Sequence, residues 1–318
     1  MLTRFRIHHF RFQTTVAAVT FAIASVWIWN AIPARAQQAP GTAGGRGPGR
    51  GPGGGFTKPE PIDYNDHEGW KSLFDGATLN GWEGNLQVWR FEDGAIVGES
   101  KPDNRVATTY LIWTGGEPVD FELKAEMKAE GVQMNTGIQY RSYHNPDNLR
   151  CGMPTCPPQA TGTPGPGGPG GPGGPGRGGG AGRGGPIGIP ADPKWNLGGY
   201  QFDFDFVNRF SGNMYEQASP RGEVAWRGEI VRTETGKKPR SVAHLGNADE
   251  LAGYIKINDW NQLHLIARGN ELIHIINGQT MTIMIDDDPS LAKAKGVIAL
   301  QIEGVGKVSF RNIWLKTL

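Results

Sequence analysis

The sequence predicts an all-β fold, a β-sandwich or barrel of antiparallel strands, on three observations. Short runs alternate apolar and polar residues. Turn dipeptides such as Asp93-Gly94, Gly269-Asn270 and Asn277-Gly278 separate those runs at short spacing, and no stretch of useful length carries the period of an amphipathic helix. Ten tryptophans and thirteen phenylalanines in 318 residues are enough to build a substantial core, and aromatic with β-branched residues favour sheet over helix. The formal net charge of +1 argues against a nucleic-acid partner, which would call for a basic stripe.

The chain opens on an address. Arg4, Arg6 and Arg11 form a positive region, Val16 to Trp29 an apolar one, and Ala34-Arg35-Ala36 a small-x-small cleavage site, so residues 1–36 read as a signal peptide. The apolar run is shorter than the ~20 residues of a membrane span. The expectation is therefore export to the periplasm or beyond, with no span left after cleavage and an uncleaved anchor as the alternative. Residues 37–66, mostly Gly, Pro and Arg, read as a disordered linker. The folded domain is expected over 67–318, from the first dense apolar set of Trp70, Leu73, Phe74, Leu79 and Trp82.

Strands follow in order. Trp89 to Gly98 is a hairpin bent at Asp93-Gly94, and Tyr110 to Trp113 is a strand. Phe121 to Lys128 has helical propensity, but its strict alternation and its neighbours decide for a strand with Phe121, Leu123, Ala125 and Met127 inward. Asn135 to Ser142 alternates so that Ile138 and Tyr140 face the core while Gly137, Gln139 and Arg141 line a polar face. From 145 to 194 periodicity vanishes; the Pro-Gly-Gly repeats read as a flexible insertion in a loop, which adds closure entropy only slowly. Cys151 and Cys156 lie inside it, and in an exported protein they favour a disulfide over a metal site. Trp260 to Arg268, Glu271 to Asn277 and Met281 to Ile285 are strands, with His264 left on the polar side of the first. Asp286-Asp287-Asp288-Pro289 reads as a solvated turn. Val297 to Ile302 and Val308 to Leu315 close the fold, Gln301 and Glu303 lying opposite Ile298, Leu300 and Ile302.

One strand stands out. In Gly199-Tyr200-Gln201-Phe202-Asp203-Phe204-Asp205-Phe206 every apolar residue is aromatic and points one way, leaving Gln201, Asp203 and Asp205 together on the other face. That face is either the solvent side of an antiparallel sheet or the floor of a polar groove. The polar stretch from Ser211 to Glu216 follows it.

Trp70-Lys71-Ser72-Leu73-Phe74-Asp75-Gly76, Asn135 to Ser142, Gly199 to Asp203, Ser211-Gly212 with Tyr215, Trp260-Asn261, Asn277-Gly278, Ala299-Leu300-Gln301 and the closing Val308 to Lys316 occur in an order that resembles the 3-keto-disaccharide hydrolase family. The resemblance covers the whole domain apart from the insertion. It implies a concanavalin-like jelly-roll sandwich of two antiparallel sheets and exported proteins acting on sugars oxidised at C3. Two departures are visible: members often carry His after the Leu-Gln pair, where this chain has Ile302-Glu303, and the insertion lies beside the implied groove.

A ketone at C3 acidifies the C2 proton. A base can then remove it, the glycosidic oxygen can leave from C1, and water can add to the enone. On this reading Asp203 is the base and Arg141 the electrostatic stabiliser, with Glu216 and His264 as reserve acid/base groups. Gln139, Tyr200, Gln201, Tyr215, Gln301 and Glu303 bind substrate, Tyr200 only through a local bulge. No cofactor is required, and an assisting divalent cation is left open. Two alternatives stand. One is a two-carboxylate glycosidase using Asp203 and Asp205, whose Cα atoms would lie about 6.5 Å apart; Gln201 stands where related jelly-roll glycosidases place a carboxylate. The other is a carbohydrate-binding module built on tryptophans such as Trp195, Trp226 and Trp260.

Overall fold

The computed structural model describes residues 62–146 and 187–318. The expected signal peptide, most of the expected linker and insertion, and the expected Cys151–Cys156 disulfide lie outside the described residues.

The expected alternation becomes strands. β1 (Lys71–Ser72), β2 (Trp82–Glu83), β3 (Trp89–Glu92), β4 (Ala95–Ser100) and β5 (Arg105–Trp113) precede the long β6 (Phe121–His144). Then come β7 (Ile187–Ile189), β8 (Leu197–Asp205), β9 (Met214–Gln217), β10 (Gly222–Ala225), β11 (Glu229–Glu234) and β12 (Arg240–His244). After the short helix α1 (Ala248–Ala252) the chain ends with β13 (Asn261–Arg268), β14 (Glu271–Ile276), β15 (Gln279–Asp287) and β16 (Val297–Thr317). Among the described residues no helix is long and apolar enough to cross a membrane.

The fold is a two-layered jelly-roll sandwich whose layers share two strands. One layer runs β12-β11-β15-β14-β13 and ends on the N-terminal half of β6; the other runs β10-β9-β8 and ends on its C-terminal half. β16 follows β6 through both, with Val297–Gly304 opposite Ser142–Met134 and Lys307–Thr317 opposite Glu130–Phe121. The two strands expected near the C-terminus are thus one. Its halves also hold β5 and β4. The antiparallel pattern is broken by two parallel pairs, β11–β15 and β5–β7.

The register of β6 against β16 slips between Val305 and Lys307, where the strands pass from one layer to the other. Here backbone presses on backbone. A Cβ at Gly304, whose φ is +89°, would sit 1.9 Å from the Gln133 carbonyl oxygen, and one at Gly306 would sit 2.2 Å from that of Glu130. Only glycine fits this corner.

The facing sides of the layers form the core. Tyr140, Tyr200, Phe202, Phe204 and Met214 come from one layer and Leu265, Leu272, His274, Met281 and Met284 from the other, all buried. Each fully buried aliphatic or phenylalanine side chain contributes roughly 1.5–3 kcal/mol. Phe202 stacks on the His274 ring at 4.0 Å between centroids. That imidazole is fixed by the Tyr140 hydroxyl, 3.0 Å from Nε2, and the Asn213 carbonyl, 3.1 Å from Nδ1. Burial pulls its pKa down to about 3 despite the hydrogen bond to Asn213.

The expected solvated turn at Asp286 is instead a buried anchor, because the turn meets an arginine fork. Arg221 donates through Nη1 and Nη2 to the two Asp286 oxygens at 2.8 and 2.9 Å and through Nε to Glu216 Oε2 at 2.5 Å. The Thr233 hydroxyl donates to Asp286 at 2.6 Å, the Tyr200 hydroxyl donates to it as well, and Lys293 Nζ lies 3.6 Å from Glu216 Oε1. Burial pushes the Asp286 carboxyl up, but the donors from Arg221, Thr233 and Tyr200 outweigh it and hold it below the usual carboxylate range. The cluster ties β8, β9, β11 and β15 together.

Residues 62–66, read as the end of the linker, lie against the first layer. The Tyr64 hydroxyl donates to the Leu263 carbonyl, and the Lys124 ammonium sits 4.5 Å over the Trp70 ring. The expected insertion is not without structure at its C-terminal end, where β7 pairs with β5. Beside it Asn145 N donates to Asn196 O, and Asn196 Nδ2 returns to Asn145 O, both at 2.9 Å.

Two outcomes follow. Arg221→Ala leaves two buried carboxylates without their shared cation and is expected to cost about 3–5 kcal/mol in denaturant unfolding; a loss below about 1 kcal/mol would show that the cluster is not an anchor. His274 binds a proton far less readily folded than unfolded, so its contribution is complete above pH ~6.5 and is lost as pH falls towards 3, by up to about 1.4 kcal/mol per pH unit. His274→Gln is expected to flatten the stability profile between pH 6.5 and 4.5; an unchanged slope would contradict this.

Candidate functional site

β8 pairs with β6, Gln201 opposite Gln139 and Asp203 opposite Gly137. On the far side of β6, Gln301 lies opposite Gly137, and across β16 it meets Tyr110 of β5. On the other side Tyr215 of β9 lies opposite Gln201, and Glu223 of β10 opposite Tyr215. Asp203, Gln201, Gln139, Tyr215 and Gln301 therefore share one face, turned away from the aromatic core.

Their side chains form a directed row. Ser142 Oγ donates to Gln139 Oε1 at 2.8 Å, and Gln139 Nε2 donates to Gln201 Oε1 at 2.8 Å. Gln201 Nε2 then donates to Gln301 Oε1 at 2.7 Å and to Asp203 Oδ1 at 3.1 Å, while Gln301 Nε2 points to the Tyr110 hydroxyl at 3.5 Å. A carboxylate only accepts, so Asp203 turns the Gln201 amide nitrogen towards itself, and each amide behind it is oriented in turn. Asp203 Oδ1 also accepts from Phe204 N at 3.1 Å. Gly137 makes the row possible: a Cβ there would stand 3.0 Å from Gln201 Nε2 and 2.4 Å from the Phe202 carbonyl oxygen, in the path the amide takes to Gln301. Asp203, Gln139, Gln201, Gln301 and Tyr110 are all at most 2% exposed, and burial at this depth strengthens polar contacts.

Four expected site residues lie elsewhere. Arg141 does not join the polar face: the β6–β8 register shifts between Tyr140 and Tyr143, a bulge opposite Gly199, and Arg141 takes a φ of +44°. Its guanidinium is spent on the carbonyls of Val119, Gly269 and Lys293 and on Asp120, so it pins loops. Tyr200 stays on the core side, with its hydroxyl on Asp286, and no bulge turns it towards Gln201. Glu216 pairs with Tyr200 and shares its side, held by Arg221 and by the Ser219 hydroxyl at 2.5 Å. His264 belongs to the other layer, opposite Lys124, with Nε2 2.7 Å from Glu122 Oε2. Burial holds its imidazole below the usual range even though Glu122 pulls the other way.

Glu303 lies opposite Asn135, itself opposite Asp205, one row along the face from Gln301. Asp205 is committed to the following loop, accepting from Phe210 N at 2.7 Å and Ser211 Oγ at 3.3 Å. Burial pushes its carboxyl up against those hydrogen bonds. The three tryptophans do not make one strip: Trp260 packs under Arg311 on the first layer, Trp226 stands beside Phe210, and Trp195 lies under Lys194. Among the described residues no three His, Cys, Asp or Glu side chains are grouped to hold a metal ion.

Sequence reading missed Tyr110 and Ser142. In Tyr110-Leu111-Ile112-Trp113 every residue is apolar or aromatic, so parity marks no polar side. Ser142 is two residues beyond Tyr140, where the bulge cancels the alternation.

Solved structures with similar folds include a Parabacteroides distasonis protein provisionally described as a glycosyl hydrolase, at 15% identity, covering 79% of this chain and 94% of that one with a TM-score of 0.43. Another is the carbohydrate-binding module CBM66 of Bacillus subtilis, at 12% identity, 78% and 95% coverage and a TM-score of 0.36. No curated protein matches the sequence significantly. The family model of the 3-keto-alpha-glucoside-1,2-lyase-like domain matches residues 69–316, most of the chain and nearly the whole of the sandwich, and the protein belongs to that family.

Proposed function

We propose that the protein is an exported enzyme that cleaves 3-keto-glycosides by elimination and hydration, with Asp203 as the base. The observation that carries this reading is the row Gln139–Gln201–Asp203 with Gln301, a buried carboxylate at the end of an oriented chain of amides. Elimination needs one base beside donors for an oxygen, and no second carboxylate. Asp203 takes the C2 proton, and the electron pair becomes the enolate on the C3 oxygen. The enolate collapses to restore the ketone and form C1=C2, and the glycosidic oxygen leaves C1 and takes up a proton. Water then adds at C1 as C2 regains a proton, and the sum is hydrolysis.

Arg141 is committed to carbonyls and Asp120; within the row the donor we assign to the enolate oxygen is the Gln301 amide, whose Nε2 makes a long 3.5 Å contact with the Tyr110 hydroxyl. Tyr215, opposite Gln201 and partly exposed, serves the sugar hydroxyls, and Gln139 orients Gln201. The two-carboxylate alternative loses support because Asp205 is bound into its own loop. Family membership supports a carbohydrate as the ligand; the position of the ketone and the elimination step are our reading.

Purified protein is expected to release product from a 3-keto-disaccharide and none from the unoxidised sugar. Asp203→Asn is expected to lower that rate by about 100-fold or more. Equal turnover of both sugars, or wild-type turnover by Asp203→Asn, would overturn the assignment. Running the same assay with a chelator tests whether a divalent cation assists.

A further inference from the structure

Among the described residues Trp226 is the most exposed tryptophan, at 46%. It opens the turn that carries the chain from β10 in the second layer to β11 in the first. That turn is held at every backbone N–H: Trp226 N donates to Glu229 Oε2 at 3.0 Å, Arg227 N to Asn213 Oδ1 at 2.8 Å, Gly228 N to Met281 O at 2.7 Å and Glu229 N to Trp226 O at 3.0 Å. Phe210, from the loop between β8 and β9, backs the indole with ring centroids 5.9 Å apart, and the Arg209 guanidinium lies 4.9 Å over Phe210. This loop is fixed as well. Phe210 N donates to Asp205 Oδ1 at 2.7 Å, and the buried Arg227 guanidinium donates to the carbonyls of Asn208 and Ser211 at 3.2 and 2.7 Å and to that of Ala248 at 2.9 Å. One arginine thus ties both aromatic-bearing loops to α1.

A rigid turn that keeps an indole half in water presents a preorganised contact, because the entropy of ordering the side chain and its backbone is already spent before a ligand arrives. The size of the contact selects the ligand. The exposed half of the indole offers roughly 100 Å², whereas a stable protein partner needs about 800 Å² a side. That area matches one sugar ring, whose apolar face stacks on an aromatic plane while its hydroxyls reach for donors and acceptors around the edge. Both kinds are at hand. Arg209 stands by Phe210 and the Glu229 carboxylate lies against the Trp226 backbone, one cation and one anion, so the rim favours a neutral sugar over a charged one. The geometry points to Trp226, backed by Phe210, as a stacking site for one ring of a neutral polysaccharide, separate from the row at Asp203. It anchors the protein to a glycan and takes no part in the chemistry at that row.

The test is affinity electrophoresis of the purified protein through native gels containing glycogen, mixed-linkage β-glucan or galactomannan. No 3-keto sugar enters the assay, so the site stands or falls apart from the elimination reading. Wild type is expected to be retarded by at least one of the three polysaccharides. Trp226→Ala is expected to weaken that binding about tenfold, equivalent to about 1.4 kcal/mol, with an unchanged unfolding midpoint, since the backbone hydrogen bonds of the turn do not use the indole. Trp226→Tyr keeps a ring on the same backbone and is expected to bind within about threefold of wild type. Asp203→Asn is expected to be retarded like wild type. No retardation of wild type by any of the three would overturn the site. So would binding unchanged in Trp226→Ala, binding lost equally in the alanine and tyrosine variants, or binding lost in Asp203→Asn.

Discussion

The pairing of β6 with β16 is the constraint on which the rest of the molecule depends. These two strands belong to both layers, so their register fixes the first layer through β13 and the second through β8 and β5 at once. It also decides who meets whom at the site. Because Gln301 lies opposite Gly137, and Gly137 opposite Asp203, a gap without a side chain stands between the carboxylate and the far amide, and Gln201 reaches across it. A slip of one residue would turn Gln301 into the core and bring Leu300 or Ile302 to the polar face.

The two sides of the second layer divide the ionisable groups by function. On the core side Arg221 pairs with both Glu216 and Asp286, and a charge there stabilises only because its partners are in place. On the opposite side Asp203 accepts from the Gln201 amide at the end of an oriented row. In the proposed reaction Asp203 is the base, while the equally buried Glu216 is clamped by Arg221.

Much of this was legible in the sequence, and the failures have physical causes. The aromatic strand and the sidedness of Gln139, of Gln201 with Asp203, and of Gln301 within their own strands follow from a period of two, which holds wherever a strand is unbroken; which strands pair to bring them onto one face does not. Arg141 was misplaced because a bulge interrupts the period one residue after Tyr140, and nothing in Tyr-Arg-Ser-Tyr announces it. Tyr200 was assigned to the groove only by supposing such a bulge in the wrong strand. Glu216 and Asp286 look like exposed acids in the sequence, since their partner Arg221 reaches both only after β9 and β15 are in place. His264 was correctly set apart from the core-facing leucines of its strand, but parity cannot tell which layer a strand joins.

The central claim is that the polar face removes a proton from C2 before the glycosidic bond breaks. It is tested most directly by letting the enzyme cleave a 3-keto-disaccharide in heavy water and reading C2 of the freshly released 3-keto sugar by mass spectrometry or NMR, against a no-enzyme control for spontaneous exchange. Elimination followed by hydration predicts one solvent deuteron at C2 in each product molecule. Product formed at the same rate with its original hydrogen at C2 would mean direct displacement at C1 and would contradict the account.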